Sequence, residues 1–336
     1  MSAILVTGAA GFIGSHVVEA LLARGDWVVG VDNFDPFYPE VRKRRNLATA
    51  VAHPHFQLVE HDIRDGAGLA ARWEQALPSE APAISVVAHL AARAGPRSSL
   101  GQEQLYQDIN VRGTVEVLEC ARRFGVQQFV LTSTSSVYGN SPRSPFREDD
   151  PADRPLSPYA ATKRSAEVIA HTYHHVYGLP VTILRPFSVY GPRGRPDMTP
   201  ALFVVPAWRG EPLAQFGDGS TGRNYTYIDD IVAGVLAAVD RPLGYEIINL
   251  ANSQEVTLAE YFRVLGELLD RPLQIEQRPM PASDPERTRA DIGKARRLLG
   301  YEPRTAFPIG LGRYLDWFRA ELAAVPDFLV QMTLPA

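Results

Sequence analysis

AILVTGAAGFIGSHVVEALLARGDWVVGVD, residues 3–32, reads as strand, glycine turn, helix and strand. Residues 3–7 are apolar and rich in strand formers, Val17, Leu21 and Leu22 fall at helical spacing, and Trp27 to Val31 form a second apolar run. Between them stand Gly8, Gly11 and Gly14, with Phe12 and Ile13 inside the same turn. Glycines there allow a tight turn and let backbone and helix N-terminus approach a pyrophosphate. Asp32 closes the second strand, where a carboxylate accepts hydrogen bonds from adenosine ribose hydroxyls and repels a 2′-phosphate, favouring NAD over NADP. A glycine triplet alone is an ordinary turn, and a strand-end Asp is an ordinary surface residue. The strand–turn–helix–strand context makes the stretch a dinucleotide site.

Further apolar runs follow at FQLVEHD (56–62), ISVVAHLAA (84–92), FVLTSTS (129–135) and VTILRP (181–186), with helical patterns at 103–124 and 158–177. Short strands alternating with helices predict an α/β fold with a Rossmann-like, doubly wound parallel sheet. After Pro186 the texture changes: 186–222 is rich in Gly and Pro, and 263–310 lacks the strand–helix rhythm. Between these, YTYIDDIVAGVLAAVD and YEIINLAN read as a helix and strand returning to the main sheet. The expectation is an NAD-binding domain over 1–185, joined by about 225–262, beside a smaller discontinuous α/β substrate domain over about 186–224 and 263–336. The cleft between them is the expected ligand site.

The 336 residues are 45% hydrophobic, enough for a large core, and carry net charge -4 with pI about 6.1, which disfavours a nucleic-acid partner. No apolar stretch reaches membrane-spanning length, and no signal peptide precedes the first strand. The lone Cys120, in the helical pattern VEVLECARR, excludes an intrachain disulfide and suits a reducing cytoplasm. His171 and His175 have i, i+4 spacing and His174 lies beside them, but no carboxylate-flanked motif accompanies them. They read as packed or solvated, and no metal is expected.

SPYAATKRSAE, residues 157–167, carries the chemistry. Ser157 suits an N-cap and Pro158 the first helical position. Tyr159 and Lys163 then share a helix face, where a lysine lowers the pKa of a neighbouring phenol and makes it a base near neutral pH. On its own the pair is a common surface feature. TSTSSVYG (132–139) places Thr134 where the fifth strand ends, at the ligand crevice, to bond a substrate hydroxyl beside Tyr159. Asn33 follows Asp32, Asp62 and Ile63 end the third strand against the adenine, and Leu90, Ala91 and Ala92 end the fourth on the nicotinamide side. Pro186 ends the sixth strand at the same crevice, and Asn110 reads as structural.

TGAAGFIG, VDN, HLAA, SSVYG, YAATK, LRPFSVYGPRGRPDM and GRNYTYIDD together resemble the extended short-chain dehydrogenase/reductase family over nearly the whole chain. The resemblance implies tightly held NAD, a nucleotide-sugar substrate, a catalytic set of Thr134, Tyr159 and Lys163, and a homodimer paired through the helices at 103–124 and 158–177. It assigns the nucleotide diphosphate to Arg223, assisted by Arg287, whose surroundings PASDPERT depart from the family's PGDV. DNFDPFYPEVRKRRNL and VYGPRGRPDM resemble the branch that inverts C4 of UDP-glucuronate to give UDP-galacturonate, by oxidation at C4, rotation of the 4-keto sugar and re-reduction. That branch implies a substrate carboxylate held by Ser188, Arg195 in bidentate fashion, and hydroxyls such as Ser135 and Ser136. RPFSVYG stands here where the branch has RFFTVYG, and Ser188 keeps the hydroxyl. Related decarboxylases carry TSEVYG and dehydratases TDEVYG; the serines here offer no carboxylate, which argues against both. Three alternatives remain: a UDP-glucose 4-epimerase, then a UDP-glucuronate decarboxylase or another lyase acting on a nucleotide sugar, and a non-catalytic NAD-binding scaffold.

Overall fold

The computed structural model describes residues 2–279 and 287–332. Six strands, β1 (Ala3–Thr7), β2 (Trp27–Asp32), β3 (Phe56–Glu60), β4 (Ile84–His89), β5 (Gln128–Thr132) and β6 (Val181–Pro186), form where the apolar runs are densest. With the strand Tyr245–Leu250 they make one seven-stranded sheet, ordered Tyr245–Leu250, β6, β5, β4, β1, β2, β3, and every pair is parallel. The order reverses between β1 and β4, so their carboxyl ends diverge and leave a crevice there.

Side chains alternate across the sheet. Ile4, Val6, Val28 and Val130 face one apolar cluster, which takes Val17 and Leu21 from helix α1 (Phe12–Ala23) and Ile231 and Val235 from the helix Ile228–Val239. Leu5, Val29, Phe129 and Leu131 face a second cluster with Trp73, Val117, Leu118, Ala166 and Ala170 from the helices Gly66–Trp73, Gly113–Arg123 and Pro158–Tyr177. Burial on both faces is why these strands read as continuous apolar runs.

The chain leaves the sheet at Pro186, returns as Tyr245–Leu250 beside β6, and leaves again. Three expectations shift. β4 ends at His89 rather than at residue 92, because after the last ladder bond, Leu90 N–H to Thr7 O (3.2 Å), Ala91 N–H turns to the Thr7 side chain instead of a backbone carbonyl. The helix expected over 103–124 is interrupted by a π-helical turn, Asp108–Arg112, where Asn110 reaches out to the backbone of Arg93. The segment 263–310 does carry a strand and helices, including Ile275–Arg278, parallel to Leu213–Phe216, and Gly293–Leu299. All four residues of that strand are exposed, so it lacks the apolar signal by which a strand is read.

Candidate active site

One cleft of about 670 Å³ runs along the carboxyl ends of the strands, and almost every expected site residue lines it. At its dinucleotide end Gly8 holds φ +69 and Gly11 caps α1 with no side-chain bond, leaving the first-turn N–H groups of Phe12, Ile13 and Gly14 uncapped beside the cleft. No acidic residue lies in that turn. A Cβ on Gly14 would stand 2.0 Å from Gly8 O, so only glycine lets α1 press onto the turn. Asp32 accepts Ala10 N–H on Oδ2 (3.0 Å) and Phe34 N–H on Oδ1 (2.8 Å), and each oxygen keeps a lone pair for a ribose hydroxyl. Burial raises its pKa against the charge of Lys43. Glycine turn, uncapped helix end and buried acceptor fit a dinucleotide. Asn33, Asp62 and Ile63 line the same end. Asn33 donates to Asp62 (2.9 Å), and Arg64 grips the Asp62 carboxylate at both oxygens, holding its pKa down to about 2.

The turn after β4 is fixed by a hydrogen-bond chain. Ala91 N–H donates to Thr7 Oγ1 (3.2 Å), which meets His89 Nδ1 at 2.7 Å; His89 Nε2 meets Thr114 Oγ1 at 3.0 Å, and Thr114 donates to Asn110 O (2.7 Å). Since the Thr114 proton is used, His89 must donate from Nε2 and accept at Nδ1. Burial, with Lys163 nearby, pushes its pKa down to about 3, so the ring is neutral. This chain sets Leu90, Ala91 and Ala92 against the cleft, with Pro186 on the other side.

At the opposite end the helix Pro158–Tyr177 begins as expected: Ser157 Oγ accepts Ala160 N–H (3.2 Å) and Pro158 is the first residue. Tyr159 and Lys163 both line the cleft. Burial raises the Tyr159 pKa, while a hydrogen bond with Thr134 and the charge of Arg195 pull it down and Asp197 pushes it up. Arg195 is thus a second cation in the cleft that acts on the phenol, beside the Lys163 to which the sequence points. Lys163 is buried, which lowers its pKa to about 8, opposed by Glu167 one turn on. Thr134 also caps the turn Ser135–Tyr138, accepting Ser136 N–H (3.2 Å), which places Ser135 and Ser136 at the cleft.

Ser188, Arg195 and Arg223 also line the cleft, Ser188 with φ +33. Arg195 Nε and Nη2 already hold Asp197 Oδ1 and Oδ2, at 2.9 and 3.0 Å. Arg287 is not among the residues lining the cleft; its side chain is 60% exposed and its Nε lies 4.0 Å from Glu255. Away from the cleft, His171 and His175 stack (ring centroids 6.3 Å), and among the described residues no group of three or more His, Cys, Asp or Glu is placed to hold a metal ion. No helix among them is long and apolar enough to cross a membrane.

The sequence profile described as the NAD dependent epimerase/dehydratase family matches residues 4–251, most of the chain. The chain belongs to that family. A UDP-glucuronate 4-epimerase of Thermodesulfobacterium geofontis is 42% identical over 328 residues, 97% of this chain and 99% of the relative. The crystal structure of UDP-glucuronic acid 4-epimerase from Bacillus cereus, in complex with UDP-glucuronic acid and NAD, superposes with TM-score 0.88 at 36% identity, over 95% of this chain and 99% of that one. A UDP-glucose 4-epimerase with UDP-glucose from Thermotoga maritima superposes with TM-score 0.85 at 31% identity, over 95% and 99%.

Several residues of this epimerase/dehydratase cleft escaped the sequence reading. Arg93 bonds Asp35 Oδ1 (2.5 Å) and lies over the Phe37 ring (4.5 Å), which Arg195 also overlies (5.9 Å). Tyr38 lines the cleft with its hydroxyl buried and without a hydrogen-bond partner among the described residues. Behind Lys163, the buried Glu167 binds Arg185, Arg164 and Ser133. The spacing Tyr159, Lys163, Glu167 on one helix face was the available signal for the last; the others are joined only by the fold.

Proposed function

We propose that this chain is an NAD-dependent isomerase that interconverts UDP-glucuronate and UDP-galacturonate by inverting C4. The observation that carries the reading is one cleft lined by Thr134, Tyr159, the buried Lys163 on the same helix face, and Arg195. The relatives named above, one of them bound to UDP-glucuronic acid and NAD, support it.

NAD, when bound, supplies a reversible two-electron oxidation of the C4 alcohol. Gly8, Gly11 and the first turn of α1 hold its pyrophosphate, Asp32 and Asn33 its adenosine ribose, and Lys163 its nicotinamide ribose. Tyr159, as phenolate, takes the proton from the 4-hydroxyl and returns it after the sugar has turned over. Thr134 orients that hydroxyl. Arg195 lowers the cost of the phenolate and attracts the sugar carboxylate, joined by Ser135, Ser136 and Ser188. Arg223 meets the diphosphate; the exposed Arg287 is the second candidate for it.

The same reading places the cofactor part at about 1–185 and the sugar part at about 186–224 and from about 263 on, with 225–262 returning to the first. The last boundary is best drawn after Leu250, since the helix Leu258–Leu269 is continuous through 262 and 263. We include a homodimer formed through Gly113–Arg123 and Pro158–Tyr177, the latter exposing Val168, Val176 and Tyr177; light scattering at micromolar concentration tests it. A cytoplasmic setting suits the buried thiol of Cys120.

The Arg195–Asp197 pair is close to neutral, and that favours one second reading, a UDP-glucose 4-epimerase. Proton NMR of the protein with UDP-glucuronate, first without and then with added NAD, decides. UDP-galacturonate is expected. A pentose product overturns the assignment to Ser135 and Ser136; no change with either, but turnover of UDP-glucose, establishes the second reading.

A further inference from the structure

Arg195 is not free to meet a carboxylate with its side edge, Nε and Nη2. Its Nε–Nη2 edge is closed by Asp197, at 2.9 and 3.0 Å, and the two side chains are only 18% and 7% exposed. Asp197 is itself lodged against the turn after β4: a Cβ on Gly95, which has φ +106, would lie 3.2 Å from Asp197 Oδ2. The Phe37 ring lies under the guanidinium. What Arg195 can offer a sugar is Nη1 and the outer hydrogen of Nη2.

We infer that Asp197 is a positioning residue that fixes the plane of Arg195, so that a uronate is met only by the end-on Nη1–Nη2 edge, in one orientation. The inference rests on the UDP-glucuronate reading. The end-on hold matters because a 4-keto uronate is a β-keto acid. If the C5–C6 bond stands perpendicular to the ketone, it breaks. Carbon dioxide leaves, the electron pair passes through C5 to the C4 oxygen as an enolate, and C5 takes a proton. The two electrons removed at C4 then return to give a UDP-pentose, with no outside oxidant. A guanidinium free of Asp197 could grip the carboxylate by either edge, bind it tighter, and follow it as it swings. Asp197 exchanges affinity for orientation.

Two measurements on Asp197→Asn test this. In the Tyr159→Phe background, calorimetric titration with UDP-glucuronate and with UDP-glucose reads binding without turnover. Freed of its counter-ion, Arg195 should bind UDP-glucuronate about tenfold tighter, with UDP-glucose unchanged. In the otherwise native chain, proton NMR should show the pentose share of product rising about tenfold or more, and Asp197→Glu should restore most of the native ratio. The acid limb of kcat should move to lower pH, because the charge that raises the Tyr159 phenol is gone while Arg195 remains. Should Asp197→Asn misfold in a thermal melt, Arg195→Lys, whose ammonium has no planar edge to orient a carboxylate, must show the same leak. Unchanged affinity ratio and unchanged pentose share overturn the inference. Binding of UDP-glucose but not UDP-glucuronate by Tyr159→Phe overturns the substrate reading, and the role of Asp197 with it.

Discussion

Replacing Glu167 by Gln removes one charge and leaves the shape. Glu167 is fully buried, and its oxygens accept Arg185 Nε (2.9 Å), Arg185 Nη2 (2.7 Å), Arg164 Nη1 (2.8 Å) and Ser133 Oγ (2.5 Å). The Arg185 side chain is 1% exposed, stands 4.7 Å over the Tyr138 ring, and has no protein partner at Nη1. A glutamine offers one accepting oxygen and turns an N–H₂ toward a buried cation. Breaking one side of such a pair costs about 3–5 kcal/mol, which for a chain of this size lowers Tm by roughly 4–7 °C. Thermal and guanidinium melts at fixed NAD concentration measure it. The double variant Glu167→Leu, Arg185→Leu should recover most of the loss, since no charge is left unpaired. Burial alone raises the Glu167 pKa, but the bonds and charge of Arg185, with Ser133 and Arg164, outweigh it and hold the folded value below the usual one. The stability it contributes is therefore fully present above the unfolded pKa of about 4.3 and is lost as pH falls through the lower folded value. A loss under about 1 kcal/mol, or a double variant no better than the sum of its singles, would refute this reasoning.

Tyr159→Phe should lower kcat by about 10²–10⁴ with an unchanged melting curve, because only the proton acceptor is lost; stopped NMR time courses report it. Lys163→Met should abolish turnover yet stabilise the NAD-free protein on the order of 3 kcal/mol at pH 7, since burial lowers this ammonium to about 8. The cost of the charge is present below that value and fades as pH rises toward the unfolded value near 10.4, so melts at pH 7 and above pH 10 should differ in that order. Gly14→Ala drives a Cβ to 2.0 Å from Gly8 O; NAD affinity, followed by calorimetry, should fall about tenfold or more as α1 withdraws from the turn, with 1–3 kcal/mol of destabilisation.

What could be read from the sequence was local. The turn at Gly8–Gly14 and the helix opening at Ser157 are set by neighbours within four residues, and both formed where spacing and caps placed them. The parallel sheet was legible because two-sided burial leaves unbroken apolar runs. Boundaries blurred where a distant partner takes over the backbone: Thr7 ends β4, and Asn110, reaching to Arg93, loosens its own helix. The exposed strand Ile275–Arg278 left no apolar trace. In the site, Arg195 was visible as a cation in a loop, but its partner two residues on was not, because loops have no period that fixes which side chains meet. Asp197 takes the Nε–Nη2 edge of Arg195, which leaves the Nη1–Nη2 edge to face a substrate. Phe37 and Arg93, 56 residues apart, meet only in the fold.

The route of the chain has a mechanical consequence. Because it leaves the sheet after β6, comes back as Tyr245–Leu250 and leaves once more, the two sides of the cleft are interlaced rather than jointed at one linker. Asn249, on the returning strand, sews them together: its side chain accepts the Tyr138 hydroxyl (2.7 Å) and donates to Phe146 O (3.1 Å) and Asp291 O (3.3 Å). A swivel needs few covalent crossings, and this vessel has no jaw to open. A sugar that must somersault between oxidation and reduction does so inside fixed walls, and its clearance is decided by individual side chains at the rim, Phe37 and Arg93 among them.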